Sequence, residues 1–397
     1  MCQRLPYLLI LLCYSISSTS QDTIRNFIFG HSLINHESMT TPSQETSVPH
    51  WLGLLSREAG HYYGVDGQYG FLPQHRNLPP IAQWGFDEAP GLWDSDTEPF
   101  TNADFNTILI TPANFAQWQG PNENYFNEDF SPVDATVEIF EWCDAQEEQM
   151  TFYIYENWPD MAPYLENGFP PTETEWMDYN EYLNGEFHDW FIEYHDSVLG
   201  RFSESCMQMI PVGPLVSELL FTTPFDQITV ADLYEDDAPH GRATIYFLAA
   251  LVTYMAFYEE PAPASFSDFN FIHPIVSANY LDAVDLIWTG LQNFNFDSGQ
   301  SRVFCNALEV VTDVGVNVLT DGIELFPNPS SQFFVIQGEL ANYEIQILDI
   351  NGQIVETFSE SGDRLEIDIS TLAQGVFFVS ISNTDNGDLS IELLVKQ

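Results

Sequence analysis

Between Asp22 and about Asn293, short apolar runs alternate with longer stretches of helical period, and this alternation constrains the fold more than any other feature of the chain. Arg25 to Phe29, Tyr62 to Val65, Thr107 to Thr111, Thr151 to Tyr155 and Gln208 to Val212 are rich in aliphatic and aromatic side chains, the composition of strands buried on both faces. Between them, Val48 to Ala59, Val137 to Gln149 and Glu186 to Phe202 carry apolar residues at helical spacing, and Arg242 to Tyr258 is the most apolar helix. Strands separated by helices build a parallel sheet covered on both sides. The expected class is therefore α/β: a three-layer α/β/α sandwich with a mostly parallel sheet.

Three stretches break the alternation: Phe71 to Phe100, Pro112 to Ala135 and Glu156 to Asn180 are long, aromatic and rich in Pro, Gly, Asn and Asp. Each follows a candidate strand, so all three should gather at the carboxyl edge of the sheet, where open α/β sheets bind ligands. After Asn293 the pattern changes. Phe333 to Gln337, Tyr343 to Asp349, Arg364 to Ile369 and Gly375 to Ile381 alternate with period two, with Asn351-Gly352 as a turn, which predicts a small C-terminal all-β sandwich. At the other end, Arg4 precedes an apolar run from Leu5 to Tyr14 and the small polar residues Ser18-Thr19-Ser20. That is the pattern of a signal peptide, and the run is short of the ~20 residues that span a bilayer. The expected organisation is a signal peptide over 1–20, a catalytic domain over 21–300, a linker over 301–322 and the β-sandwich over 323–397.

Charge narrows the partners. With 59 Asp+Glu against 9 Lys+Arg the formal net charge is −50, which makes nucleic acid and anionic membranes poor partners. The acids are spread evenly, as solubility in a salty medium requires. Beyond the signal peptide the cysteines are Cys143, Cys206 and Cys305, enough for at most one intramolecular disulfide and spaced unlike any zinc motif. His36-Glu37, His188-Asp189 and His195 lack the helix spacing of a metal site, so neither metal nor cofactor is expected.

The chemistry concentrates in two short motifs. Ile28-Phe29-Gly30-His31-Ser32-Leu33 puts Ser32 on the turn after the first strand, where a hydroxyl is exposed and backbone N–H groups can face a developing oxyanion. A serine at such a place is as readily a helix cap. Asp236-Asp237-Ala238-Pro239-His240-Gly241 places an aspartate within one turn of a histidine, ahead of the long apolar helix. Asp237 can then hold the tautomer of His240, which takes the proton of Ser32.

In the order serine, glycine, asparagine, Asp-x-x-His, these residues resemble the SGNH (GDSL-like) hydrolase superfamily over residues 22 to about 260. Gly30-His31-Ser32-Leu33 matches its first block, with His31 where aspartate usually stands. Val65-Asp66-Gly67-Gln68-Tyr69-Gly70 fits the second and Ile108 to Asn114 the third, although Pro112-Ala113 and Phe115 depart from the family's Gly-x-Asn-Asp. Asp237-x-x-His240 is the fourth. The resemblance implies an esterase acting through an acyl-enzyme on Ser32, with Asp237 and His240 as its dyad and with Gly70 and Asn114 donating to the oxyanion. The tail adds a second resemblance. Leu325-Phe326-Pro327-Asn328-Pro329, Leu372 to Val379 and Val395-Lys396-Gln397 resemble the C-terminal sorting domain of the type IX secretion system of Bacteroidetes. That implies the type IX machinery as partner and a secreted or cell-surface destination reached through the periplasm; an Ig-like carbohydrate-binding module is the alternative.

The long loops carry Trp84, Trp93, Trp118, Trp158 and Glu156, expected as substrate-binding residues because flat indoles suit sugar faces, which points to acetyl esters on polysaccharides. A lipase-like esterase is the rival on the same machinery. A glycosidase using Glu156 would leave the serine series unexplained, and a binding protein with a vestigial triad is the non-enzymatic alternative.

Overall fold

Five parallel strands form the sheet, in the order β2-β1-β3-β4-β5. In this computed structural model the described residues are 22–305 apart from 39–43, 113–118, 148–149 and 203–205, and 324–396 apart from 327–329, 331, 341–342, 349–353, 359–361, 371, 373–374 and 384–388. The strands are β1 (Thr23–Gly30), β2 (Tyr62–Tyr69), β3 (Thr107–Ile110), β4 (Thr151–Tyr155) and β5 (Cys206–Ile210). From β1 the chain first steps to one side, then returns and builds β3, β4 and β5 on the other. The strand order therefore reverses at the carboxyl ends of β1 and β3, which in a doubly wound sheet is where the ligand crevice opens.

Helices cover both faces. On one lie α1 (Val48–Ala59), α6 (Val212–Leu220), α8 (Ala243–Tyr258) and α10 (Tyr280–Asn293), packed with Ile28, Val65, Leu109 and Tyr153 of the strands. On the other, α3 (Pro132–Asp144) and α5 (His188–Leu199) pack on Phe27, Phe29, Ile110 and Phe152. Ile28 and its neighbours Phe27 and Phe29 thus point to opposite cores, the alternation that a strand imposes. Every residue of α8 is buried, so this helix forms the spine of the first face rather than an amphipathic cover. Short helical turns α2 (Leu72–His75), α7 (Val230–Leu233) and α9 (Pro274–Ala278) lie in the connections.

Several boundaries move for identifiable reasons. The strand expected over Gln208 to Val212 ends at Ile210, because Pro211 has no N–H for the ladder and caps α6 instead. The α3 helix begins at Pro132 rather than Val137: the Ser131 hydroxyl accepts from Asp134 N–H at 3.1 Å, and Asp134 Oδ2 accepts from Ser131 N–H at 2.8 Å. The end of the Glu156 to Asn180 stretch is helical too. There α4 (Glu173–Tyr182) starts on a Thr172/Glu175 capping box and runs through a π-helical turn, Leu183–Phe187, into α5.

The start of the expected linker is not a linker. Arg302 Nη1 lies 2.7 Å from Asp196 Oδ1, the Arg302 carbonyl accepts from Met209 N–H, and a disulfide joins Cys206 to Cys305, so the first unit extends to Cys305. Cys143 is the buried free thiol.

The C-terminal unit is all β and antiparallel. One sheet has the order β10-β7-β6, with β6 (Glu324–Phe326), β7 (Phe333–Leu340) and β10 (Gly362–Asp368); the other has β12-β11-β8-β9, with β8 (Tyr343–Leu348), β9 (Ile354–Phe358), β11 (Gly375–Asn383) and β12 (Leu389–Lys396). Phe334, Ile336 and Leu365 of the first sheet share a core with Ile345, Val379 and Leu394 of the second. Pro327-Asn328-Pro329 and Asn351-Gly352 lie outside the described residues.

Candidate active site at the carboxyl end of the first strand

Ser32 sits where β1 gives way to a turn, in which the N–H groups of Ile34 and Asn35 both donate to the His31 carbonyl at 2.9 and 3.2 Å. The turn is fixed from above and below. Tyr246 of α8 donates its hydroxyl to the Ser32 carbonyl at 2.6 Å, and Leu33 N–H donates to His31 Nδ1 at 3.3 Å. His31 is buried; burial, with His75 and His240 nearby, pushes it down to about 3, so it is a neutral hydrogen-bonding piece of the turn. It acts as a local brace of the turn.

His240 comes from the segment between α7 and α8. An isolated bridge joins Tyr234 to Gly241, Glu235 N–H donates to the His240 carbonyl at 2.8 Å, and Arg242 N–H to the Leu233 carbonyl at 2.7 Å. These bonds close a tight loop and aim the ring at β1. His240 Nε2 lies 3.0 Å from Ser32 Oγ, and His240 Nδ1 lies 2.8 Å from a carboxylate oxygen.

That carboxylate belongs to Asp236, not Asp237. Asp236 Oδ2 takes the ring and Asp236 Oδ1 accepts from His240 N–H at 3.0 Å, so both oxygens are committed to one residue. Burial works against its charge, but the bonds from His240 outweigh it and hold the carboxyl below the usual range. Asp237 makes no hydrogen bond or ion pair with His240 among the described residues; its carbonyl accepts from the N–H groups of Met161 and Ala162 at 3.0 and 3.1 Å.

The oxyanion donors expected from sequence fare differently. Gly70 N–H donates to the Gly30 carbonyl at 2.9 Å, one rung beyond the paired residues Gly30 and Tyr69, so it is spent on the sheet and is not aimed at the site. Gly67 serves packing: a Cβ there would come within 2.2 Å of the Trp84 indole. Asn114 and Trp118 lie outside the described residues. Among the described residues the Ser32 N–H makes no hydrogen bond, which leaves it available beside its own hydroxyl.

The remaining tryptophans and Glu156 are mostly structural. Trp93 packs edge-on against Phe27 and Phe100 and donates its ring N–H to the Glu98 carbonyl at 2.9 Å. Trp158 is fully buried and donates to the Pro239 carbonyl at 2.9 Å, bracing the His240 loop from beneath. Glu156 is fully buried too, 2.7 Å from His188 Nδ1, so it offers nothing to a substrate. Trp84 is different. It is half-buried, its indole lies over Gly30 and Gly67 beside the Ser32 turn, and Tyr69, opposite Gly30 in the sheet, is exposed. Sequence reasoning missed Asp236, Tyr246 and the His36 ring stacked on His240; Asp236 alone had a visible signal, being adjacent to the acid chosen.

No curated protein matches the chain. Among solved structures, it aligns with PorZ, a bacterial surface component of the type IX secretion system of Porphyromonas gingivalis, at 17% identity over 19% of this chain, with a TM-score of 0.18. The chain spans 12% of that protein's length. An engineered protein aligns at 11% identity over 95% of this chain and 93% of its own, with a TM-score of 0.20. At these scores neither bears on the fold. One family model does match: residues 324–396 are a secretion system C-terminal sorting domain, of the type IX kind, which marks the chain for export to the cell surface or beyond.

Proposed function

We propose that the first unit is a serine hydrolase acting on carboxylic esters. The observation that carries this reading is the line Asp236 Oδ2, His240 Nδ1, His240 Nε2, Ser32 Oγ, with gaps of 2.8 and 3.0 Å. A charged carboxylate can only accept, so Nδ1 must carry the ring proton and Nε2 presents a lone pair to the serine hydroxyl. His240 takes that proton as Ser32 attacks the ester carbonyl, then returns it to the departing alcohol; water repeats the sequence on the acyl-enzyme. The oxyanion would be met by the Ser32 N–H, with the Asn114 amide as the expected second donor.

A serine-reactive fluorophosphonate tests the reading directly. It should label Ser32 in the wild type and leave Ser32→Ala unlabelled, while Ser32→Ala and His240→Ala each lose several orders of magnitude in hydrolysis of an aryl acetate. Labelling that persists in Ser32→Ala would overturn the assignment.

The substrate class follows from the surroundings. The indole of Trp84 and the exposed Tyr69 flank the serine turn, and the sorting domain directs the chain to where polysaccharides are met, which favours acetyl esters on a polymer. Activity should then fall sharply from acetyl to octanoyl esters, and Trp84→Ala should lower turnover of acetylated polymer about three- to tenfold more than that of an aryl acetate. Activity that rises with acyl length would favour the lipase-like reading.

A further inference from the structure

His36 lies face to face with His240, the ring centroids 4.0 Å apart and the planes 6° from parallel. The contact is built, not incidental. The His36 N–H donates to the Thr46 carbonyl at 3.0 Å, its carbonyl accepts from the Thr46 hydroxyl, and the adjacent Asn35 bridges to Ser47. Its Nε2 lies 3.6 Å from Glu235 Oε2, a largely buried carboxylate that also accepts from the Ser38 hydroxyl and stands 3.4 Å from Arg242 Nη1. The consecutive acids Glu235 and Asp236 therefore hold two parallel imidazoles.

Asp236 and Ser32 hold the His240 ring at its two nitrogens, so a tilt of its plane about the line between them is opposed only by the ring's own link to the backbone. A second ring stacked on one face restrains that tilt. Electrostatics sets the protonation of the partner. Burial and then His240 hold His36 below the ordinary histidine value, while Glu235 and Asp236 pull upward without reversing the shift, and Arg242 stands behind Glu235. Two like charges this close oppose each other strongly, so the pair accepts one proton far more readily than two.

We propose that His36 is a positioning residue for His240, fixing the plane of the base and lending a neutral ring face to the imidazolium that forms when the Ser32 proton moves to Nε2. This rests on the hydrolase reading of the site, but the stacking can be followed without turnover.

With an aryl acetate, His36→Ala should lower kcat about 10- to 100-fold with little change in KM, the size expected when a catalytic group loses its orientation. His36→Phe restores a flat, uncharged ring and should recover most of that loss. Ring-carbon NMR of the resting enzyme supplies the independent measurement: the His36 ring should stay neutral to below the ordinary histidine range, because burial and the His240 ring stacked on it both oppose its charge. If His36→Phe were as impaired as His36→Ala, or if His36 titrated at an ordinary histidine value, the proposal would be wrong. If no form of the enzyme reacted with ester or fluorophosphonate, the hydrolase reading would fail while the NMR titration still decided the pairing.

Discussion

Two carboxylate–histidine pairs stand at the carboxyl edge of the sheet, and at nearly the same distance they reach opposite electrostatic outcomes. Asp236 approaches His240 Nδ1 to 2.8 Å and Glu156 approaches His188 Nδ1 to 2.7 Å. Asp236 is partly exposed and both its oxygens accept from His240, so its charge is held and its carboxyl stays below the usual range. Glu156 is fully buried and its second oxygen has no partner among the described residues; burial pushes it up to about 7 against the pull of His188. For His188 burial pulls down, but the bond to Glu156 wins and raises it. The far nitrogens differ as well: His240 meets the Ser32 hydroxyl, whereas His188 packs against the Phe294 ring. Distance alone does not make a catalytic dyad. The acid must stay charged near neutral pH and the base must face a proton to move.

The largest test of this contrast lies within the first pair. Asp236→Asn should cost about 10⁴-fold in kcat, because an amide can no longer enforce the Nδ1–H tautomer. Asp237→Asn should stay within about threefold of wild type, its contribution to the loop being a backbone carbonyl that the substitution keeps. Equal losses, or the reverse order, in steady-state kinetics would break the assignment of the acid.

A smaller effect comes from beneath the loop. Trp158→Phe fills most of the same space but removes the ring N–H that binds the Pro239 carbonyl, one residue before His240. A loosened loop should lower kcat about tenfold and leave KM nearly unchanged, while the tryptophan's burial makes some loss of stability unavoidable. The same substitution should not move the titration of His188, which would separate the two pairs.

The layers, the strands and the place of the serine were legible because they depend on period and local sequence: Val48–Ala59 and Thr151–Tyr155 stand where their patterns put them. The sorting domain was legible for the same reason. What escaped was decided at long range. Asp236 and Asp237 are indistinguishable in the sequence; only the folded loop, whose Asp237 carbonyl is bound by Met161 and Ala162 some 75 residues away, brings the first of them to His240. Gly70 carries the expected motif, yet the sheet extends one rung further and takes its N–H. Trp93 and Trp158 read as a ligand surface only because an aromatic loop looks the same whether it meets a sugar or packs on itself. The starts of α3 and α4 were written in Ser131-x-x-Asp134 and Thr172-x-x-Glu175, inside stretches whose Pro and Asn content masked them.

The second pair should be nearly silent in catalysis and visible in stability. Glu156→Gln should keep hydrolysis within about twofold, since the carboxylate is buried away from substrate, but it should change how stability depends on pH. The Glu156 carboxyl rises from 4.5 when unfolded to about 7 when folded, so the folded chain binds this proton more tightly. Its contribution is fully present below about 4.5 and is lost as pH rises through about 7. His188, also raised, contributes below its unfolded value of 6.5 and loses that contribution as pH climbs through its higher folded value, in the same direction. Glutamine removes the first dependence and the cause of the second, leaving burial to pull His188 down. The difference in melting temperature, variant minus wild type, should therefore grow between about pH 5 and 8. Tryptophan fluorescence follows the first unit alone, because all 9 tryptophans lie between Trp51 and Trp288. A difference that stayed flat, or shrank with rising pH as it would for a carboxylate stabilised by its ion pair, would place Glu156 in the same electrostatic class as Asp236 and dissolve the contrast between them.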